Sequence, residues 1–268
     1  MVVLTLVILV GYVVINGIGV ISWSFITEFP KDSFTAGGIF PAIVGTIYLI
    51  GLVLIIAVPI GVFTAVYVVE YSNPKKSGLN RIFYRMLRIV ITNLAGVPSI
   101  VYGLLGFGAL VIFFNLGLSL IASGITLAFL VLPLIITASR EAIEAVPRSV
   151  REASLALGAT KWQTIRSHVL PYSVPGIMTG VILSLSRAAG ETAPILLTGA
   201  VVLKQTLPQS IFDTFMALPY QLFALAMQFS EATRPMQYGS ALVLLMLVVG
   251  MNLIAILVRN KYRAKYRW

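Results

Sequence analysis

The sequence predicts an all-α integral membrane protein with six transmembrane helices, and three observations carry that prediction. The 268-residue chain is 59% hydrophobic and only 10% charged, with a mean hydropathy of +0.98, far from the composition of a soluble domain of this length. Six apolar stretches are long enough to cross a hydrocarbon core of about 30 Å, which takes roughly 20 helical residues. Basic residues gather in alternate connections between those stretches. Spanning strands are not expected, because a barrel shows short alternating segments and these are unbroken apolar blocks.

The first stretch, Val2 to Phe25, is too long for a signal peptide and lacks a small-residue cleavage site, so residues 1–38 read as a true span and an external loop. A core of residues 39–258 follows. Its spans are Ile39 to Val69, Ile89 to Phe114, Gly117 to Ser139, Ser173 to Val201 and Tyr238 to Val258. In the connection before the third span, "NRIFYRMLR" places Arg81, Arg85 and Arg88 on one helical face, as an interfacial anchor meeting anionic membrane lipid would. The segment from Leu203 to Gln237, broken by Pro208, Pro219 and Pro235, is too interrupted to span but too apolar for disorder. Short helices resting on the outer membrane face are expected there. Residues 259–268 form a basic tail.

A net charge of +10 would suit nucleic acid, so the location of the charges decides. Lys75, Lys76, Arg81, Arg85 and Arg88 lie between spans two and three, and Arg140, Arg148, Arg151, Lys161 and Arg166 between spans four and five. Arg259, Lys261, Arg263, Lys265 and Arg267 fill the tail, while only Lys31, Lys204 and Arg234 lie in the opposite connections. The positive-inside rule then puts both termini in the cytoplasm and the chain in the inner, cytoplasmic membrane. No nucleic-acid partner is expected. The chain has no cysteine, which excludes disulfide and thiol chemistry, and His168 as its single histidine argues against a protein-built zinc site.

The basic loop 140–172 can be parsed by capping rules. Pro147 stops the helix begun by "SREAIEAV", and Ser149 with Glu152 has the spacing of a capping box. Gly158 then supplies a left-handed residue, Thr160 with Gln163 starts a second helix, and Pro171 limits it. Helix, glycine turn, helix is a compact protrusion suited to docking a partner, although a plain connection would look similar.

The stretch "EASLALGATKWQTIRSHVLP" resembles the EAA loop of ABC importer permeases, whose pattern is Glu-Ala-Ala, three residues, Gly, nine residues, Ile, one residue, Leu-Pro. Glu152, Ala153, Gly158, Leu170 and Pro171 fall in register. Ser154 replaces the second alanine, keeping the small volume, and His168 stands where the pattern has isoleucine. The resemblance implies a type I ABC importer permease fold whose loop, through Glu152, Ala153, Ser154, Leu157, Gly158, Ala159, Leu170 and Pro171, sits in a groove of a cytoplasmic ATPase subunit. "NLAGVPSIVYGLLG" and "SRAAGETAP" are similar to the phosphate-specific branch of that family, and within it to the A-type subunit. The partners thereby implied are a homologous permease, two ATP-binding cassette ATPase subunits, an extracytoplasmic phosphate-binding protein and inorganic phosphate. No Gly-rich Lys-Ser/Thr loop is present, so the chain is not expected to hydrolyse ATP; ATP and Mg would be bound by the ATPase subunits, leaving this chain without a cofactor.

"SRAAGETAP" also places two opposite charges inside an apolar span. From Ser173, Arg187 lies about 14 residues in, roughly 21 Å of helix, near the middle of a bilayer. Insertion scales put an Arg and a Glu there at about 5 to 7 kcal/mol together, so a neutral accident is not expected. At i and i+4 in one helix the two would share a face, which leaves a purely structural ion pair open as well. Gly190 and Pro194 bracket Glu191 and predict a broken helix near mid-depth, where transporters place substrate sites. A guanidinium fork suits an oxyanion, so Arg187 is the expected contact, held by Glu191 and supplemented by the Ser184, Ser186 and Thr192 hydroxyls. Ser99 and Tyr102, beyond the Gly-Val-Pro break in span three, are candidates for the same path or for helix packing. An ion-coupled secondary transporter would need two related halves, which are not evident, and a permease for another oxyanion would use the same residues.

Overall fold

A computed structural model describes residues 1–34, 36–72, 79–228 and 233–265. Lys75, Lys76 and Arg267 lie outside the described residues, as do residues 229–232 of the 203–237 segment. Among the described residues, five helical stretches are long and apolar enough to cross a membrane: Val2–Val20, Phe40–Tyr71, Leu120–Glu144, Lys161–Gly190 and Arg234–Ala264. Arg85–Ala95 and Ser99–Phe113 together make a sixth when counted as one broken span.

The chain opens with α1 (Val2–Gly17), an evenly apolar helix whose side chains are mostly exposed. In hydrocarbon such a surface needs no cover. The first span ends near Val20 rather than at Phe25, because Ser22 accepts a hydrogen bond from the Phe25 amide (3.1 Å) and caps a separate short helix, α2 (Trp23–Thr27). A two-residue hairpin follows, β1 (Pro30–Lys31) antiparallel to β2 (Ala36–Gly37). Next come α3 (Phe40–Val66), extended by a π-helical turn Tyr67–Tyr71, and α4 (Leu79–Ala95). After the Gly96-Val97-Pro98 break lies α5 (Ser99–Gly106), with a π-helical continuation Phe107–Phe113, and then α6 (Leu120–Glu144). The basic loop holds α7 (Arg148–Ala156) and α8 (Lys161–Thr164). A π-helical turn Ile165–Val169 leads into α9 (Leu170–Gly190), followed by α10 (Ala193–Thr198), α11 (Leu218–Gln228) and α12 (Arg234–Lys265).

Contacts divide the chain into two compact units. The first comprises Met1–Val53, Ser99–Leu127 and Ala189–Gly250. Its core gathers Phe25, Phe34, Ile39, Ala42, Met216, Leu218, Leu225, Met236 and Val243. The short helix expected in the 203–237 segment is present as α11, and the run leading into it packs within the protein. Phe215, Met216, Ala217 and Leu218 are fully buried, and the Leu218 amide donates to Thr46 Oγ1 in α3 (2.9 Å). Four successive side chains of this apolar run thus find partners within the protein. The loop before them is held by its own polar groups: Lys204 Nζ donates to the Thr214 carbonyl (2.8 Å), and the Gln209 and Ser210 amides donate to Asp213, holding its carboxyl below the usual range.

The second unit comprises Leu54–Pro98, Ala128–Ala188 and Met251–Trp268. Within it α9 packs on α6 through small residues. A Cβ added at Gly176 or Gly180 would meet the Ala142 or Ala138 methyl at 2.5 and 2.4 Å. Residues spaced by four on both helices thus make a small-residue seam, the usual way for membrane helices to approach closely.

The basic loop is fastened to this unit by one side chain. Arg151 Nε donates to Glu70 Oε1 (2.9 Å), Nη2 donates to the Ile143 carbonyl (2.7 Å), and Nη1 donates to the Val146 carbonyl. It therefore binds carbonyls at and just beyond the C-terminus of α6 while pairing with the end of the α3 span. Lys161 adds a bond from Nζ to the Glu70 carbonyl and lies over the Tyr71 ring, 4.8 Å from its centroid.

The two capping expectations in this loop diverge. Thr160 and Gln163 form the predicted reciprocal box, with the Gln163 amide donating to Thr160 Oγ1 (3.3 Å) and the Thr160 amide donating to Gln163 Oε1 (2.7 Å). Ser149 caps nothing, because α7 already begins at Arg148 behind Pro147. Pro171 does not limit a helix either: the π-helical turn shifts the hydrogen-bond register so that Pro171 falls in the first turn of α9, where its missing N–H leaves no ladder bond unmade. The fifth span consequently begins at Lys161 rather than near Ser173.

Two outcomes test this packing. With side-chain exposures of 18% for Arg151 and 10% for Glu70, the pair is largely withdrawn from solvent, so Arg151→Ala should lower the stability of the purified assembly by about 3 kcal/mol in a denaturant titration. Gly180→Val should lower its thermal midpoint through overpacking, by the equivalent of roughly 1–3 kcal/mol. Wild-type melting of either variant contradicts the corresponding contact.

Candidate functional site

Two regions bear on function, and the first is the broken fifth span. Helix α9 stops at Gly190, Glu191 and Thr192 lie outside helix, and α10 resumes at Ala193 with Pro194 in its first turn. The break predicted from Gly190 and Pro194 is present. Its position changes one expectation, since Glu191 is not in the same helix as Arg187 and the shared-face geometry of an i,i+4 pair does not apply. Arg187 sits in the last turn of α9 and is exposed on the surface of the chain, while Glu191 and Thr192 are half-buried.

Residues Ser184, Ser186 and Arg187 belong to the second unit. Ser184 is buried and donates back to the Gly180 carbonyl (2.8 Å), which removes it from the candidate lining. Ser186 donates to Asn252 Oδ1 in α12 (2.9 Å). Asn252, a carboxamide in an apolar span, is a site-neighbouring residue that sequence reasoning missed; an isolated Asn in a hydrophobic run was the available signal.

Glu191, Thr192, Ser99 and Tyr102 belong to the first unit, where α5 and α10 pack together. Gly103 lies so close to α10 that a Cβ there would be 3.0 Å from Pro194 Cα and 3.1 Å from the Ala193 carbonyl. The segment beyond the span-three break is thereby laid against the segment beyond the span-five break. Tyr102 is buried and Ser99 half-buried on that same helix. The far end of α10 is fixed to α6 by the Ser123–Thr198 hydroxyl pair (2.9 Å), both fully buried. The helices that follow the two interruptions therefore pack on one another.

The second region is the turn between α7 and α8. Gly158 adopts the predicted left-handed conformation, φ +80°. Ser154 is buried and pairs with the Thr164 hydroxyl (3.0 Å), locking the two short helices against each other. That small side chain is what the packing requires. On the other side of the turn Glu152, Ala153 and Gly158 are exposed, Ala159 is half-buried, and Leu157 is 90% exposed. Leu170 packs on the cluster of Val66, Ile143, Val146 and Ile165, and Pro171 is half-buried beside it, so both support the loop from within. Arg151 and Glu70, which sequence reading did not pair, lie 81 positions apart in the chain.

Comparison with known proteins agrees with this architecture. Residues 57–259 match the family described as binding-protein-dependent transport system inner membrane component. The chain is 36% identical over 231 residues to phosphate transport system permease protein PstA 1 of Mycobacterium tuberculosis, covering 84% of this chain and 71% of that relative. It is 32% identical over 264 residues to PstA 2 of Mycobacterium bovis, covering 98% and 84%. Among solved structures, an inward-facing MetNI methionine ABC transporter superimposes with a TM-score of 0.62 at 18% identity, over 84% of this chain and 97% of that one. A bacterial ABC transporter involved in import of the acidic polysaccharide alginate gives 0.62 at 13% identity, over 86% and 80%. At those identities the likeness establishes the fold, that of ABC importer membrane subunits. Taken with the match to 57–259, it makes this chain a member of the binding-protein-dependent transport system inner membrane component family.

Proposed function

We propose that this chain is a permease subunit of an ATP-driven phosphate importer. The observation that carries the reading is the similarity, across 84% and 98% of the chain, to two proteins named as phosphate transport system permeases. The fold does not choose the cargo, since neighbours of the same fold are named for methionine and for alginate. The side chains support the same cargo. A phosphate dianion needs a positive donor fork in a place shielded from bulk water, and Arg187 offers one beside a helix interruption. In this reading Arg187 contacts the anion and Ser186, one residue before it on the same helix, adds a hydroxyl. A single arginine holds the anion loosely enough to release it.

The pathway forms with a homologous permease, and an extracytoplasmic binding protein delivers phosphate from outside. Both termini and the 140–172 loop face the cytoplasm, as the basic residues require. Two ATPase subunits hold ATP and Mg and dock on the turn around Gly158, where Leu157 presents an apolar side chain that only a partner would cover. Glu152, Ala153, Ser154, Ala159, Leu170 and Pro171 shape and support that turn. Because Arg151 ties α7 to the ends of α3 and α6, a push on the loop reaches two spans directly.

Replacing Arg187 with Ala should abolish phosphate uptake in reconstituted vesicles while the ATPase subunits still co-purify; uptake at the wild-type rate removes Arg187 from the path. Gly158→Val forces a β-branched residue to φ +80°, a strain on the order of 1–3 kcal/mol. It should weaken ATPase co-purification several-fold, and unchanged recovery of the ATPase contradicts docking at this turn.

A further inference from the structure

The basic residues of α4 have no part in the pathway or the docking turn, yet one of them meets an arginine from another span. Within the second unit a cavity of about 200 Å³ lies between α4 and α6, lined by Arg88, Ile91 and Thr92 from one and by Ile136, Thr137 and Arg140 from the other. Two guanidiniums face one small space in which no carboxylate is a lining group. Arg140 Nε is buried and makes no hydrogen bond among the described residues; it forms a long ion pair with Glu144 Oε1 (3.6 Å), whose side chain is 52% exposed. Thr92 donates its proton to the Arg88 carbonyl (2.9 Å), so the donors available to a guest are the two guanidiniums and the Thr137 hydroxyl.

Two arginines and a threonine hydroxyl lining a space this size are suited to a phosphate group. The surroundings decide which kind. One turn back along α4, Ile82, Arg85, Met86 and Ile89 line an open groove, and Ile82, Met86 and Ile89 are exposed. An acyl chain would lie on that apolar flank while its headgroup reached the arginines; free phosphate would gain nothing from it. Arg88 and Arg140 also belong to the two basic clusters, and clustered basic residues beside spans attract anionic headgroups.

We propose that the cavity between α4 and α6 is a binding site for an anionic phospholipid, its phosphate held by Arg88, Arg140 and Thr137 and its acyl chain lying along Met86 and Ile89. The site is separate from the pathway and does not rest on the cargo assigned above. Its occupant bridges the third span to the fourth beside the docking loop.

The test uses the full chain in its purified assembly, in nanodiscs of phosphatidylcholine with and without phosphatidylglycerol, with retained lipid counted by native mass spectrometry. Phosphatidylglycerol should be retained selectively, and the double variant Arg88→Gln, Arg140→Gln should reduce that retention roughly tenfold. The variant Arg88→Lys, Arg140→Lys keeps the charge without the fork and should fall between the two, which reads the site even if the glutamine variant fails to assemble. Inorganic phosphate at millimolar concentration should not displace the lipid. Equal retention by wild type and both variants overturns the site, and displacement by inorganic phosphate overturns its assignment to a lipid.

Discussion

Inside hydrocarbon each backbone amide without a partner costs several kcal/mol, so a spanning helix can be interrupted only where protein or water supplies the missing bonds. This constraint governs the account of the molecule. The chain interrupts the third span at Gly96–Pro98 and the fifth at Glu191–Thr192. Both interruptions are followed by short helices, α5 and α10, that pack on one another through Gly103. Freed carbonyls and amides at such points need a polar neighbourhood, and a hydrated route for an anion is one that also explains an arginine in the last turn before the break.

The docking turn follows a different logic. Its shape is local, set by Gly158 at positive φ, the Thr160–Gln163 box and the Ser154–Thr164 hydroxyl pair. Its attachment is not local: Arg151 joins the turn to the ends of two spans by charge-assisted bonds largely withdrawn from solvent. Because a guanidinium fork is directional, the turn cannot tilt without disturbing α3 and α6. That stiffness suits the ATPase-docking role proposed for the loop.

The parts that were legible in the sequence are those decided within a few residues or by bulk apolarity. The existence and order of the apolar spans, though not all their ends, the helix break at Gly190 and Pro194, the left-handed Gly158 and the Thr160 cap all belong there. Ser149 misled because capping spacing competes with Pro147, which had already started the helix one residue earlier. Pro171 misled because a π-helical turn can absorb a proline, and nothing in composition announces such a turn. Burial of Phe215 to Leu218 was hidden because an apolar run does not say what it packs against. The Glu70–Arg151 and Ser186–Asn252 pairs join residues distant in the chain, and only the fold brings them into reach.

The most direct test of the central claim exploits the absence of cysteine from the chain. In the assembled transporter, Arg187→Cys would carry the only thiol of this subunit. If the end of α9 borders a hydrated anion route, a membrane-impermeant anionic thiol reagent should modify it. A thiol inert to that reagent but reactive toward a lipid-soluble maleimide would place position 187 in hydrocarbon and contradict the account.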